Sequence, residues 1–175
     1  AGVRPLMNPD PFPGFLMGFN PCKPTSVGNI QISSTDPMLP PKIYSNYLDT
    51  EYDKKMMIEG IRLIRRISNA PALKSIIKDE LAPGSDIKSE TDIAKYIRQK
   101  AWSVFHPCST CRMGSNPNVS VVDPKLRVHG VDNLRVVDAS IFPTIPTGNI
   151  NAPSIMVGEY ASDIILKDAR NQKGL

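Results

Sequence analysis

Three polar side chains in the second half of this sequence have types that can exchange a proton or form a hydrogen bond with a bound molecule. His106 lies beside a proline, Asp138 ends an apolar run, and Asn149 lies in a segment rich in Gly, Asn and Pro. Histidine takes up a proton near neutral pH, and an amide donates a hydrogen bond without titrating. The pattern therefore suits removal of a proton from a substrate and stabilisation of the anion that forms.

Two other readings of the same region rest on its cysteines. Cys108 and Cys111 form a Cys-x-x-Cys pair, and with His106 and His129 they supply the four ligands that zinc requires. The spacing is unusual for structural zinc, and the sequence has no second Cys-x-x-Cys pair. A thioredoxin-like dithiol would need a helix start after a strand, which the surrounding pattern does not supply.

Three helices are predicted upstream of these residues. Thr50 with Asp53, and Ser89 with Asp92, have the spacing of helix-capping pairs. Apolar residues recur at helical intervals after each pair, so we expect Ile61 and Ile93 to face a core. The predicted helices span about 50–68, 71–81 and 89–102.

Short strands and one long helix complete the predicted elements. The strands are expected near 27–34, 42–47, 121–122, 126–130 and 133–138, the first with one face half-buried. Asn151 is predicted to cap the last helix, which should fray from Lys167. The apolar face predicted for this helix comprises Ile155, Met156, Tyr160, Ala161, Ile164 and Ile165.

Composition excludes several classes of function. The 175 residues carry a net charge of +4, but their basic residues are dispersed and only 6% are aromatic, which argues against nucleic-acid binding. No apolar run approaches the roughly 20 residues of a membrane span, and no signal peptide is visible. Because the chain begins with Ala1, we expect it to start within a longer protein.

Four motifs together resemble the glucose–methanol–choline (GMC) family of FAD-dependent oxidoreductases. They occur in the family's order and at family-like spacing. The motifs are HPCSTCRMG at 106–114, LRVHGV at 126–131, LRVVDAS at 134–140 and GNINAP at 148–153. The position that matches Asn149 is His in some family members. An Asn at this position resembles the choline dehydrogenase branch of the family.

The resemblance implies an α+β fold in two parts. Residues 1–103 would belong to a substrate-binding domain with an antiparallel sheet and helices. Residues 104–175 would supply the C-terminal strand and helix of the FAD-binding domain, together with the catalytic residues. The family's N-terminal Gly-x-Gly-x-x-Gly turn is absent from the sequence. We therefore expect a missing N-terminal FAD-binding portion, and a chain that alone neither holds FAD tightly nor turns over.

The resemblance also assigns roles to individual residues. His106 would be the base that takes the proton of an alcohol substrate, and Asn149 would donate a hydrogen bond to the developing alkoxide. Expected FAD contacts are Asp138, Ala139, Val104, Phe105, Ile150, Asn151 and Ala152. Two alternatives to alcohol oxidation stay open, a hydroxynitrile lyase on the same scaffold and a non-enzymatic zinc or dithiol module. Apolar surface left uncovered in a partial chain would favour a homo-oligomer.

Overall fold

The computed structural model describes residues 10–172. Their elements are β1 (Asn29–Gln31), β2 (Lys42–Tyr44), α1 (Glu51–Ser68), α2 (Pro71–Lys74), α3 (Glu90–Lys100), a 3₁₀ turn (Ala139–Ile141) and α4 (Asn151–Gln172). Contacts divide the chain into two compact units, one from the residues up to 21 with 48–104, the other from 22–47 with those from 105 onward. Helices and a small antiparallel sheet confirm the mixed class, while the assignment of parts to a substrate-binding and a FAD-binding domain stays a prediction.

Both predicted capping pairs of the first unit are confirmed. The Thr50 hydroxyl accepts a hydrogen bond from the Asp53 backbone N–H at 3.2 Å, at the start of α1. The Ser89 hydroxyl accepts one from the Asp92 N–H at 3.1 Å, at the start of α3. Each cap satisfies one of the N–H groups that a helix start leaves without an acceptor.

The core of the first unit lies between α1 and α3. Its buried side chains are Ile61, Ile93 and Ile97, as the helical periodicity predicts. The Phe19 ring packs against this cluster, and a Cβ atom added at Gly60 would overlap that ring. Glycine inside a helix costs about 1 kcal/mol relative to alanine. At this position it lets the aromatic ring approach the helix backbone closely.

The second predicted helix is much shorter than expected. Helix α2 ends at Lys74 rather than near Leu81. The residues beyond it form turns around the Arg65 guanidinium, which donates to the Glu80 carboxylate at 2.8 Å and to the Gly84 carbonyl at 2.9 Å. These hydrogen bonds link segments distant in sequence and outweigh the local helical pattern.

In the second unit, β1 and β2 form an antiparallel hairpin with Ile30 opposite Ile43. A strand is present within the predicted range 27–34, and its antiparallel pairing is confirmed. The predicted extent and burial are wrong, because β1 has three residues and Ile30 and Ile32 are 50% and 90% exposed. Alternating apolar and polar residues predict a strand with one apolar and one polar face. The pattern does not show whether another part of the protein covers the apolar face.

The core of the second unit is formed by side chains from residues 122–161. Its buried side chains are Val122, Leu126, Ile141, Val157 and Ala161. The predicted strands at 121–138 are reduced to isolated bridges, Met113 with Val122, Val122 with Val128, and Arg127 with Arg135. The predicted strand at 133–138 is therefore wrong as a continuous element, because the chain pairs at Arg135 and then turns at Asp138.

Helix α4 differs from its prediction in three respects. Asn151 is its first helical residue rather than its cap, and the helix continues past Lys167 to Gln172. Val157 and Ala161 are buried in the core, whereas four members of the predicted apolar face are exposed, namely Ile155, Met156, Tyr160 and Ile165. The Arg135 guanidinium donates to the Asp168 carboxylate at 2.5 Å, which secures the turn expected to fray. None of the helices in residues 10–172 has the length and apolar character needed to cross a membrane.

Candidate active site

His106 lies on an irregular loop at the start of the segment from residue 105 onward, which belongs to the second unit. Its side chain is half-buried, and its ring makes no hydrogen bond to any residue in the described part of the chain. Two loop residues other than glycine have positive φ, Phe105 at 62° and Ser109 at 75°. Such backbone conformations cost free energy and persist where the surrounding structure determines them. The ring nitrogens of His106 therefore have no hydrogen-bond partner among the described residues. Contacts made by other residues must hold the loop in place.

The anchor of this loop is the 3₁₀ turn. The Cys111 N–H donates to the Ser140 carbonyl at 3.0 Å, and the Met113 N–H donates to the Ile141 carbonyl at 2.8 Å. Ile141 is itself buried in the core of the unit. These two backbone hydrogen bonds join the segment that follows His106 to the segment that follows Asp138.

Asp138 shapes the turn with its own side chain. Its backbone is extended, and its Oδ1 accepts a hydrogen bond from the Ser140 N–H at 2.7 Å. The carboxylate is exposed, so it can reach a ligand while it caps the turn. The Ser140 hydroxyl is buried and has no hydrogen-bond partner among residues 10–172. A buried hydroxyl without a partner is costly.

The fourth motif forms the entrance to α4. Gly148 has φ +110°, a conformation that favours glycine, and the side chain of Asn149 is exposed. Ile150 is buried, and its carbonyl accepts hydrogen bonds from the Ser154 N–H at 2.9 Å and from the Ser154 hydroxyl at 2.6 Å. Asn151 and Ala152 are exposed in the first turn, where N–H groups lack intrahelical acceptors. This end of the helix favours negative charge.

These residues fit the flavin that the motifs imply. The exposed Asp138 carboxylate offers a polar contact to a chain of hydroxyl groups, and the first turn of α4 offers donors to an anionic ring. Phe105, 67% exposed, offers an aromatic face. Val104, which directly precedes Phe105 in the chain, is 45% exposed.

Two arginine–aspartate pairs brace the segment that leads to this site. Arg127 donates to the Asp123 carboxylate, and Arg135 donates to that of Asp168. Partial burial raises the pKa of Asp123, but hydrogen bonds from Arg127 and from the Lys125 N–H outweigh it, so the net shift is downward. The Arg135 guanidinium lowers the pKa of Asp168. Both carboxylates are therefore held in their charged form.

The cysteines and the second histidine do not form a metal centre in the described residues. Within 10–172 no three His, Cys, Asp or Glu side chains are grouped to hold an ion, and Cys108 and Cys111 are free thiols. The His129 Nε2 lies 3.0 Å from the Gly114 carbonyl oxygen and 3.2 Å from the Ser120 hydroxyl. The sequence predicts only a loop residue at His129, and no local pattern announces its contacts.

Comparison with known proteins places these observations in a family. The chain is 46% identical to an "Oxygen-dependent choline dehydrogenase" of Photobacterium profundum, over 87% of this chain and 27% of that protein. It is 44% identical to an "Alcohol dehydrogenase [acceptor]" of Pseudomonas putida, over 88% of this chain and 28% of that protein. The chain thus spans little more than a quarter of the length of these relatives.

A solved structure supports the same assignment. The "FAD-dependent oxidoreductase from Chaetomium thermophilum" matches with a TM-score of 0.81 and 30% identity, over 85% of this chain and 26% of that one. The family model described as "GMC oxidoreductase", which represents the C-terminal part of such proteins, matches residues 24–158, which contain all four motifs. The chain belongs to the GMC oxidoreductase family.

Proposed function

We propose that this chain is the C-terminal part of an FAD-dependent oxidoreductase that oxidises a CH–OH group. The observation that carries the proposal is the half-buried His106 ring, free of hydrogen bonds to described residues, on a loop fastened to the turn that Asp138 caps. The relatives named choline and alcohol dehydrogenases support the class of substrate. The expected partners are a small alcohol and the N-terminal portion that the relatives' greater length implies.

Bound FAD would supply the hydride acceptor of the reaction. His106 takes the proton of the substrate hydroxyl at a ring nitrogen, because no described residue competes for that ring. The exposed Asn149 amide donates a hydrogen bond to the oxygen as its negative charge develops. The amide side chain of Asn149 neither gains nor loses a proton near neutral pH. The proton taken from the substrate therefore stays on His106.

The remaining predicted residues hold the cofactor rather than take part in proton transfer. Asp138 and Ala139 would contact its polar chain at the 3₁₀ turn. Ile150, Asn151 and Ala152 would present backbone N–H groups to the ring, and Phe105 and Val104 would flank it. The dipole at the start of α4 suits the negative charge of a reduced flavin.

The test uses the full-length parent, in which this chain is joined to its N-terminal portion. We expect a flavin absorbance band that bleaches when primary alcohols, including choline, are added without oxygen. In the His106→Ala variant the band should remain but bleaching should slow by about 100-fold or more, in the range of general-base catalysis. The matched control is Val131→Ala, at an exposed position that has no part in the proposed reaction.

Three results would contradict the proposal. A parent protein that binds no flavin after reconstitution with FAD would remove the cofactor from the scheme. An unimpaired His106→Ala variant would remove the base. Cleavage of a hydroxynitrile without bleaching would point instead to lyase chemistry.

A further inference from the structure

His129 has no part in the proposed reaction, yet its ring hydrogen-bonds to the backbone segment that carries the proposed base. The side chain is half-buried, and its Nε2 lies 3.0 Å from the Gly114 carbonyl oxygen and 3.2 Å from the Ser120 hydroxyl. Gly114 is the last residue of the motif that begins at His106.

Proton counting fixes which group donates. Ser120 has one hydroxyl proton, and the Asn116 carbonyl, at 2.6 Å, is a nearer acceptor than the Gly114 carbonyl, at 3.1 Å. A carbonyl oxygen can only accept, so the short contact from His129 to Gly114 requires a proton on Nε2. His129 therefore acts as a donor to the backbone of the motif.

The segment that His129 contacts is held from two sides by backbone hydrogen bonds. On one side Cys111 and Met113 donate to the 3₁₀ turn. On the other side the Gly114 N–H donates to the Val122 carbonyl at 2.9 Å. The His129 ring is a side-chain donor to the Gly114 carbonyl, and the Ser120 hydroxyl lies 3.1 Å from the same oxygen. They add a fixed point at the end of the loop.

The loop needs such fixed points. Between His106 and Cys111 it contains no helix or strand. Phe105 and Ser109, on either side of His106, have positive φ angles, which the chain maintains only when its ends are held. A carbonyl released at Gly114 would therefore loosen the backbone that aims the His106 ring.

We propose that His129 is a positioning residue, whose Nε2–H holds the Gly114 carbonyl and so sets the orientation of the proposed base His106. The inference rests on the proposed function, since it assigns His129 a purpose in the reaction of His106. In this proposal His129 acts on His106 through the backbone and not through contact with substrate or cofactor.

The test compares variants of the full-length parent. His129→Ala should lower kcat about tenfold or more, with little change in KM and full flavin content, because misplacing a catalytic group impairs the chemical step. His129→Gln offers an amide donor and should restore most of kcat. Ser120→Ala should give a smaller loss, and the exposed Val131→Ala, on the same turn, should match the wild type.

A second measurement separates this inference from the proposed function. Hydrogen exchange of the 105–114 segment should accelerate in His129→Ala and return towards the wild-type rate in His129→Gln. Unchanged exchange and unchanged kcat in His129→Ala, or a Gln variant as slow as the Ala variant, would overturn the positioning role. If His106→Ala reduced its flavin normally while the exchange differences persisted, the proposed base would be wrong and the positioning role would fall with it.

Discussion

At the scale of residues, Asp138 combines two roles that a single substitution would confuse. Its Oδ1 caps the 3₁₀ turn through the Ser140 N–H, and its exposed carboxylate is proposed to contact the cofactor. The sequence alone leaves a structural carboxylate and a cofactor ligand as alternatives. The geometry makes them compatible, because the cap uses one oxygen.

Paired substitutions at Asp138 separate these roles. Asp138→Ala removes the acceptor of the Ser140 N–H and should destabilise the protein by about 1 kcal/mol. Asp138→Asn keeps an acceptor oxygen, so it should retain stability, and it should weaken flavin binding only if the charge matters. Denaturant unfolding and flavin titration of the parent protein measure the two effects. An Asn variant as unstable as the Ala variant would contradict the capping role.

At the scale of elements, α4 is extended by an ion pair from outside the helix. Arg135 donates to Asp168, and this hydrogen bond lowers the pKa of Asp168. A carboxylate with a lowered pKa in the folded state stabilises the protein above its unfolded pKa of about 3.9. That stabilisation is lost as the pH falls through the lower folded-state pKa.

The pH dependence of unfolding tests this pair. Asp168→Asn should lower Tm at pH 7. The difference from the wild type should begin to shrink below about pH 4, where the carboxylate of the unfolded chain takes up protons, and should continue to shrink as the pH falls through the lowered pKa of the folded state. Asp163→Asn, at an exposed position of the same helix that forms no ion pair with the described residues, is the matched control. A constant difference from pH 7 to pH 3 would show that the ion pair is not the source of the effect.

The elements also show what a sequence can and cannot predict. The caps at Thr50 and Ser89 were predictable because the donors and acceptors lie three residues apart. The end of α2 was not, because Arg65 acts on residues far along the chain. In the site, the types and order of the polar residues are visible in the motifs, whereas the backbone hydrogen bonds of Cys111 and Met113 leave no signature in residue identity.

At the scale of the whole molecule, α4 has apolar residues on two sides. One side packs in the core through Val157 and Ala161. A second stripe, of apolar and small residues, follows another side of the helix and is exposed. We call it the α4 stripe, and it consists of Ile155, Gly158, Ser162, Ile165, Leu166 and Ala169. A Cβ atom at Gly158 would meet nothing within 4 Å. An exposed stripe of this kind favours association.

The α4 stripe predicts how the 175-residue chain behaves when it is produced alone. It should self-associate, and Ile155→Glu with Leu166→Glu should raise the monomer fraction in size-exclusion chromatography, because both side chains lie in the stripe. Asp163→Asn with Lys167→Gln, exposed on another side of the helix, provides a control pair. In the full-length parent the stripe variants should lower expression or stability if the N-terminal portion covers it. Unaltered self-association in the stripe variants would place the associating surface elsewhere.

The packing of Phe19 on Gly60 has a consequence for how this family can vary. The aromatic ring fills the space that a side chain at position 60 would need, so a larger residue there requires the ring to move or to be replaced. We expect the two positions to change together in evolution. A relative with a larger residue at the position of Gly60 should carry a smaller one in place of Phe19, and chains that keep the glycine should keep the ring.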